Sequence, residues 1–158
     1  MKIKVRREVV RCINCKRENE FLYLPDFSYG ERLVLFNNGM NYAYINLLED
    51  NIYSDFIEKV KAVLHSLQKE VSDDELQNII NHIFEVTCDK IQGSDVDFVT
   101  SHKKCVYCAT EHFEDLMVEP EKLLYIDVPN VTHEAWKAMC EEKRIQLIEK
   151  TLTEKIFT

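Results

Sequence analysis

The sequence predicts an α+β domain built on a central antiparallel sheet, with two amphipathic helices inserted into it and a long C-terminal helix. Three observations carry that reading. Apolar and charged residues alternate at the start of the chain and again around residues 32–47; apolar residues take a helical period between 54 and 84; and a second helical stripe begins near 131. At 158 residues, 46% hydrophobic, with only three Gly and three Pro, the chain is long enough to close a core and too apolar to stay disordered. One domain spanning residues 1–158 is expected.

The first strand is read over Lys2 to Arg11, where Ile3, Val5 and Val9 alternate with charged side chains. A second, Phe21 to Leu24, stops at Pro25, whose ring removes a ladder donor. Arg32–Asn37 and Met40–Leu47 form a hairpin about Asn38-Gly39, residues suited to the positive φ of a tight turn. Helical periodicity then takes over. With Ser54 as N-cap, Phe56, Ile57, Val60, Val63, Leu64 and Leu67 make one stripe. Ser72 and Glu75 form a capping box for a second helix, whose stripe is Leu76, Ile79, Ile80, Ile83 and Phe84 and whose end falls at Gln92-Gly93-Ser94. Short strands are expected at Val96–Thr100 and Lys122–Val128, with an acidic helical stretch, Ala109–Met117, between them. The last helix starts at Thr132, with Val131 stapled on Trp136, and turns Trp136, Met139, Cys140, Leu147, Ile148 and Leu152 inward.

No apolar run approaches the roughly 20 residues that cross a bilayer, and no signal peptide is read, so the expected location is the cytoplasm. There disulfides are rare, and paired C-x-x-C motifs point to metal or redox chemistry. Two such motifs are present, Cys12-Ile13-Asn14-Cys15 and Cys105-Val106-Tyr107-Cys108, with 89 residues between them. Each places two thiolates on one side of an ion, and two such turns complete a tetrahedron. Cys12, Cys15, Cys105 and Cys108 are therefore the expected ligands of one structural Zn2+, in zinc-ribbon-like knuckles, with residues 16–104 as an insert. Such a closed four-thiolate shell has no open position for water and predicts no hydrolytic chemistry. Cys88 follows the second helical stripe and Cys140 lies on the third, and both are read as core; His102 and His112 flank the second knuckle as substitute ligands.

Charge is unevenly spread along the chain. The net −8 divides into +6 over residues 1–17, −11 over 18–99 and −3 over 100–158. Arg11, Lys16, Arg17, Lys103 and Lys104 lie within two residues of a proposed ligand, where cations stabilise thiolates. The acidic body disfavours duplex DNA and fits a basic protein partner, for which Asp26, Glu31, Glu49, Asp50, Asp55 and Glu58 are the candidate face; a solvated surface is the plainer reading. The aromatic residues Phe27, Tyr29, Phe36, Tyr42, Tyr44 and Tyr53 are read as sheet packing rather than a stacking platform.

The motifs resemble bacterial two-knuckle domains of the CpXC type, in which a strand-borne CxxC pairs with a later one ahead of a Leu-Leu-Tyr-x-Asp segment, here Leu123-Leu124-Tyr125-Ile126-Asp127. The Pro of that motif is absent from both knuckles, and the helical insert has no counterpart in the pattern. The resemblance implies a zinc-ribbon-like core and no activity. The function expected is a non-enzymatic, zinc-stabilised binder, of the immunity type that blocks a basic toxin. The alternatives are a nucleic-acid-binding regulator using Lys2, Lys4, Arg6 and Arg7, and a thiol redox protein using a CxxC. No phosphate-loop, dinucleotide, esterase or zinc-protease motif is present.

Overall fold

The computed structural model describes residues 1–25, 30–37, 39–99, 104–115 and 123–158. Among these described residues are six strands, β1 (Lys2–Cys12), β2 (Glu18–Tyr23), β3 (Glu31–Phe36), β4 (Asn41–Asn46), β5 (Phe113–Asp115) and β6 (Leu123–Asp127). The helices are α1 (Asn51–Ser66), α2 (Asp73–Ile83), α3 (Glu134–Ala138) and α4 (Glu141–Lys155), with a 3-10 turn over Phe84–Thr87. The α+β class and the long C-terminal helix are as predicted, but the strands divide between two antiparallel sheets rather than one.

β1 organises the first sheet. Arg6 pairs with both Tyr23 and Leu123, and Val10 with both Asn19 and Asp115, so β2 holds one edge while β5 and β6 share the other. Its two faces serve different ends of the molecule. Ile3 and Val5 are buried on one face, against Val128 and Tyr44. Val10 and Cys12, of opposite parity, are buried on the other, the face that carries the cysteines.

The β3–β4 hairpin stands between this sheet and the helices. Val34, Phe36, Ala43 and Ile45 enter the main core with Phe56, Val60, Ile80, Ile83, Trp136, Ile148 and Leu152, while Leu33, Tyr42 and Tyr44 face the first sheet. Burying both faces removes the apolar–polar alternation of a half-exposed ribbon. Its loop spans four residues, with Asn37 at φ 54° and Gly39 at φ 80°; Asn38 lies outside the described residues. Gly30 precedes the hairpin at φ 79°, and a Cβ there would meet the Leu48 backbone nitrogen at 2.8 Å. Only glycine fits that crossing.

Several boundaries differ from expectation. α1 starts four residues early, because Asp50, not Ser54, accepts the amides of Ile52 and Tyr53. The Ser72–Glu75 capping box of α2 is formed. That helix tightens into the 3-10 turn at Phe84, and Gln92-Gly93 instead closes a separate turn bridged by Ile91 and Ser94. Residues 96–99 form no strand; they contribute one bridge, Asp97 to Leu35, and Thr100 lies outside the described residues.

The final helix is two. Met139 and Cys140 are extended, and Arg144 of α4 reaches back to donate to the carbonyl of Lys137 and to that of Trp136, which also accepts the Met139 amide. Cys140 is consequently exposed, not in the core, whereas Cys88 packs against the core as expected. The acidic stretch after the second knuckle forms β5 rather than a helix, because β1 offers it an open ladder edge; Met117 lies outside the described residues.

Candidate metal centre

The two C-x-x-C turns adopt the same backbone geometry. In the first, Cys12 N donates to Arg17 O at 2.9 Å, and Lys16 N donates to Cys12 O at 3.0 Å. In the second, Cys105 N donates to Thr110 O at 2.9 Å, and Ala109 N donates to Cys105 O at 2.8 Å. The residue after each second cysteine is left-handed, Lys16 at φ 65° and Ala109 at φ 62°. Glycine takes that conformation freely, whereas these two residues are strained, and the duplicated hydrogen bonds hold them there.

The fold brings the turns together. β1 delivers Cys12 at its end, and β5 pairs back onto β1 with Phe113 opposite Cys12. All four sulfurs lie within 4.8 Å of one another, a spacing at which one ion can touch every one. Sγ of Cys12 is 3.5 Å from that of Cys108, and Sγ of Cys15 is 3.5 Å from that of Cys105. Cys12 and Cys105 are buried, Cys15 and Cys108 half-buried. The four predicted ligands thus meet; of the two substitutes, His112 is exposed and His102 lies outside the described residues.

Asn19 escaped the sequence reading. Buried on β2, it donates Nδ2 to Cys105 Sγ at 3.3 Å and accepts the Val106 amide on Oδ1 at 3.0 Å, so it ties the second knuckle to the strand that follows the first. Its signal was an asparagine in phase with Phe21, at a strand position that alternation sends inward. The Thr110 hydroxyl, 3.1 Å from Cys108 Sγ, does similar work. Together with the Asn14 side chain and the Thr110 amide it holds the Cys108 thiol down at about 5. Burial acts to raise the Cys105 thiol, but the Asn19 side chain, the Tyr107 and Cys108 amides and the Cys15 contact together outweigh it and lower it. At Cys15 the Arg17 amide acts to lower the thiol, but desolvation and the neighbouring sulfurs push it up to about 11. A metal-free cluster therefore holds its protons unequally.

The flanking cations are engaged locally. Arg17 stacks its guanidinium over the Tyr107 ring at 4.7 Å, joining the two knuckles, while Lys16 pairs with Glu114 and Arg11 with Glu18. A cleft of about 990 Å³ between β2, β3 and the second knuckle reaches Cys105 and Cys108.

The predicted acidic face is only partly available. Asp50 is turned inward to cap α1 and to meet His133 at 2.7 Å, which withdraws it from the surface. Glu31 accepts the Tyr44 hydroxyl at 2.5 Å. Glu49, Asp55 and Glu58 are exposed, the last two paired with Lys59 and Lys61, and Asp26 lies outside the described residues. Of the basic strand residues, Lys2 and Lys4 are exposed on one face, while Arg7 pairs with Glu20 at 2.9 Å.

Among the described residues no helix is long and apolar enough to cross a membrane. Compared with protein-family models, with curated protein sequences and with solved structures, the chain matches none of them.

Proposed function

We propose that Cys12, Cys15, Cys105 and Cys108 hold one structural zinc ion, and that the chain is a non-catalytic binding domain fastened by it. The convergence of four sulfurs from distant parts of the chain carries this reading. A Zn–S bond of about 2.3 Å sets the sulfurs of a regular tetrahedron roughly 3.8 Å apart. The measured pairs, at 3.5 Å, are close to that edge. Four thiolates fill the shell, so bound zinc would act as a fastener and not as a Lewis acid. Elemental analysis of protein purified without chelator tests this: one zinc per chain supports it, and absence of stoichiometric metal overturns it.

The partner this reading favours is a basic protein, as for an immunity-type binder, meeting the carboxylates Glu49, Asp55 and Glu58 near the start of α1. Reversing all three charges should abolish such binding while leaving the zinc content unchanged. A nucleic-acid reading draws support from the other end of the molecule. Lys4 lies opposite Tyr125 on an exposed face of the first sheet, with Lys2 beside it. Its test is binding of a single-stranded oligonucleotide that weakens as salt rises. The CpXC-type resemblance is kept as part of the proposal; its Leu-Leu-Tyr-x-Asp segment is β6, paired to the strand that carries the first knuckle.

A further inference from the structure

We propose that peroxide converts the metal centre into two disulfides that cross between the knuckles, Cys12 to Cys108 and Cys15 to Cys105. The inference rests on the zinc reading above and adds a pairing that a C-x-x-C motif does not suggest.

Four cysteines allow three pairings. The two sulfur contacts of 3.5 Å are both between knuckles, they share no residue, and together they use all four thiols. Each pair also joins a half-buried sulfur to a buried one, Cys108 with Cys12 and Cys15 with Cys105. That division assigns the roles. An oxidant entering by the cleft beside the second knuckle meets Cys105 and Cys108 at its wall, of which Cys108 is the less buried. The half-buried thiolate attacks the peroxide O–O bond, becomes a sulfenic acid and releases hydroxide. Its buried partner then attacks the sulfenic sulfur, forms the S–S bond and expels a second hydroxide. Each disulfide gives up two electrons to one peroxide. Two peroxides thus oxidise the four thiolates, leaving free Zn2+, two disulfides and four hydroxides.

Closing each pair requires the sulfurs to approach from 3.5 Å to the bonded distance of about 2.05 Å once the ion departs. The consequence differs sharply from pairing within a motif. Links inside Cys12–Cys15 and Cys105–Cys108 would leave the two turns free to part, whereas crossed links keep β1 fastened to the second knuckle without metal.

The experiment treats the purified, zinc-quantified protein with hydrogen peroxide, follows zinc release with a chromogenic indicator, and maps disulfides by non-reducing digestion and electron-transfer fragmentation. The expected result is one equivalent of zinc released, with Cys12–Cys108 and Cys15–Cys105 as the linked pairs. Links within each motif, the pairing Cys12–Cys105 with Cys15–Cys108, or sulfinic acid without disulfide would each overturn it. Protein found metal-free at the outset refutes the zinc reading instead, and the map still decides the pairing. As a second measure, C15S/C105S, which keeps Cys12 and Cys108, should crosslink at least about tenfold faster than C15S/C108S, and equal rates would contradict the proposal.

Discussion

His133 Nε2 lies 2.7 Å from Asp50 Oδ2, and the other oxygen of that carboxylate accepts the first free amides of α1. On its far side the imidazole Nδ1 meets the carbonyl oxygen of Thr87 at 2.9 Å. One ring thus joins the starts of α1 and α3 to the end of the 3-10 turn. The cysteine cluster gathers at one end of the first sheet; this contact joins the helices.

The Asp50 contact gives a pH prediction. Burial acts to raise its carboxyl, but the His133 hydrogen bond and charge and the two amides outweigh it and hold the group below the ordinary 3.8. A depressed carboxyl stabilises the fold above its unfolded value, and the contribution is lost as pH falls through 3.8 towards the lower folded value. Asp50→Asn should cost about 1–3 kcal/mol at pH 7. Urea midpoints followed by the single tryptophan, Trp136, should show the gap to wild type narrowing between pH 5 and pH 3. A gap independent of pH would mean that shape, not charge, matters at this position.

Asn19 positions a ligand without being one. Removing its amide from Cys105 Sγ in Asn19→Ala should weaken metal binding by about 10- to 100-fold, the usual size of an outer-shell effect. Competition against a chelator of known affinity measures it. An unchanged affinity would reduce Asn19 to packing.

A Cβ is unfavourable at two left-handed backbone positions, one a glycine and one an alanine. Gly30→Ala forces a Cβ against the Leu48 backbone at a positive φ, and should cost about 2–4 kcal/mol. Ala109→Gly relieves a left-handed alanine and should stabilise by about 0.5–1 kcal/mol. Thermal melts of the zinc-loaded proteins report both signs.

Chelation should act regionally. Amides at the Cys12 end of β1, in β2 and in β5 should lose most of their hydrogen-exchange protection, while α1, α2 and α4, packed around Phe56, Ile83 and Ile148, keep theirs. Uniform loss across both cores would show instead that the metal holds the whole chain.

The parts most legible in the sequence were those set by local pattern. The stripes of α1 and α2, the Ser72–Glu75 box and the alternation of β1 each report one face of one element. So did the ligands, because Cys-x-x-Cys carries its geometry within four residues. What escaped depended on distant partners. The stretch Ala109–Met117 reads as helical, yet its residues 113–115 form β5, because β1 offers an edge. Ser54 reads as the cap of α1; Asp50 takes that place, and its partner at His133 lies 83 residues along the chain. The break at Met139–Cys140 depends on Arg144, eight residues beyond Trp136. Asn19 is polar and unremarkable until Cys105 lies beside it.

β1 is made early but occupies the middle of its sheet, and the partners along one of its edges begin only at Phe113. At a synthesis rate of about 5–20 residues per second, that edge waits roughly 5–20 s for the ribosome to supply them. The helical core waits as well, since Ile148 and Leu152 of α4 complete it. A nascent chain therefore carries an open, adhesive ribbon for the whole of that interval. A metal ion could not shorten the wait, because half of the cysteine cluster is still unwritten.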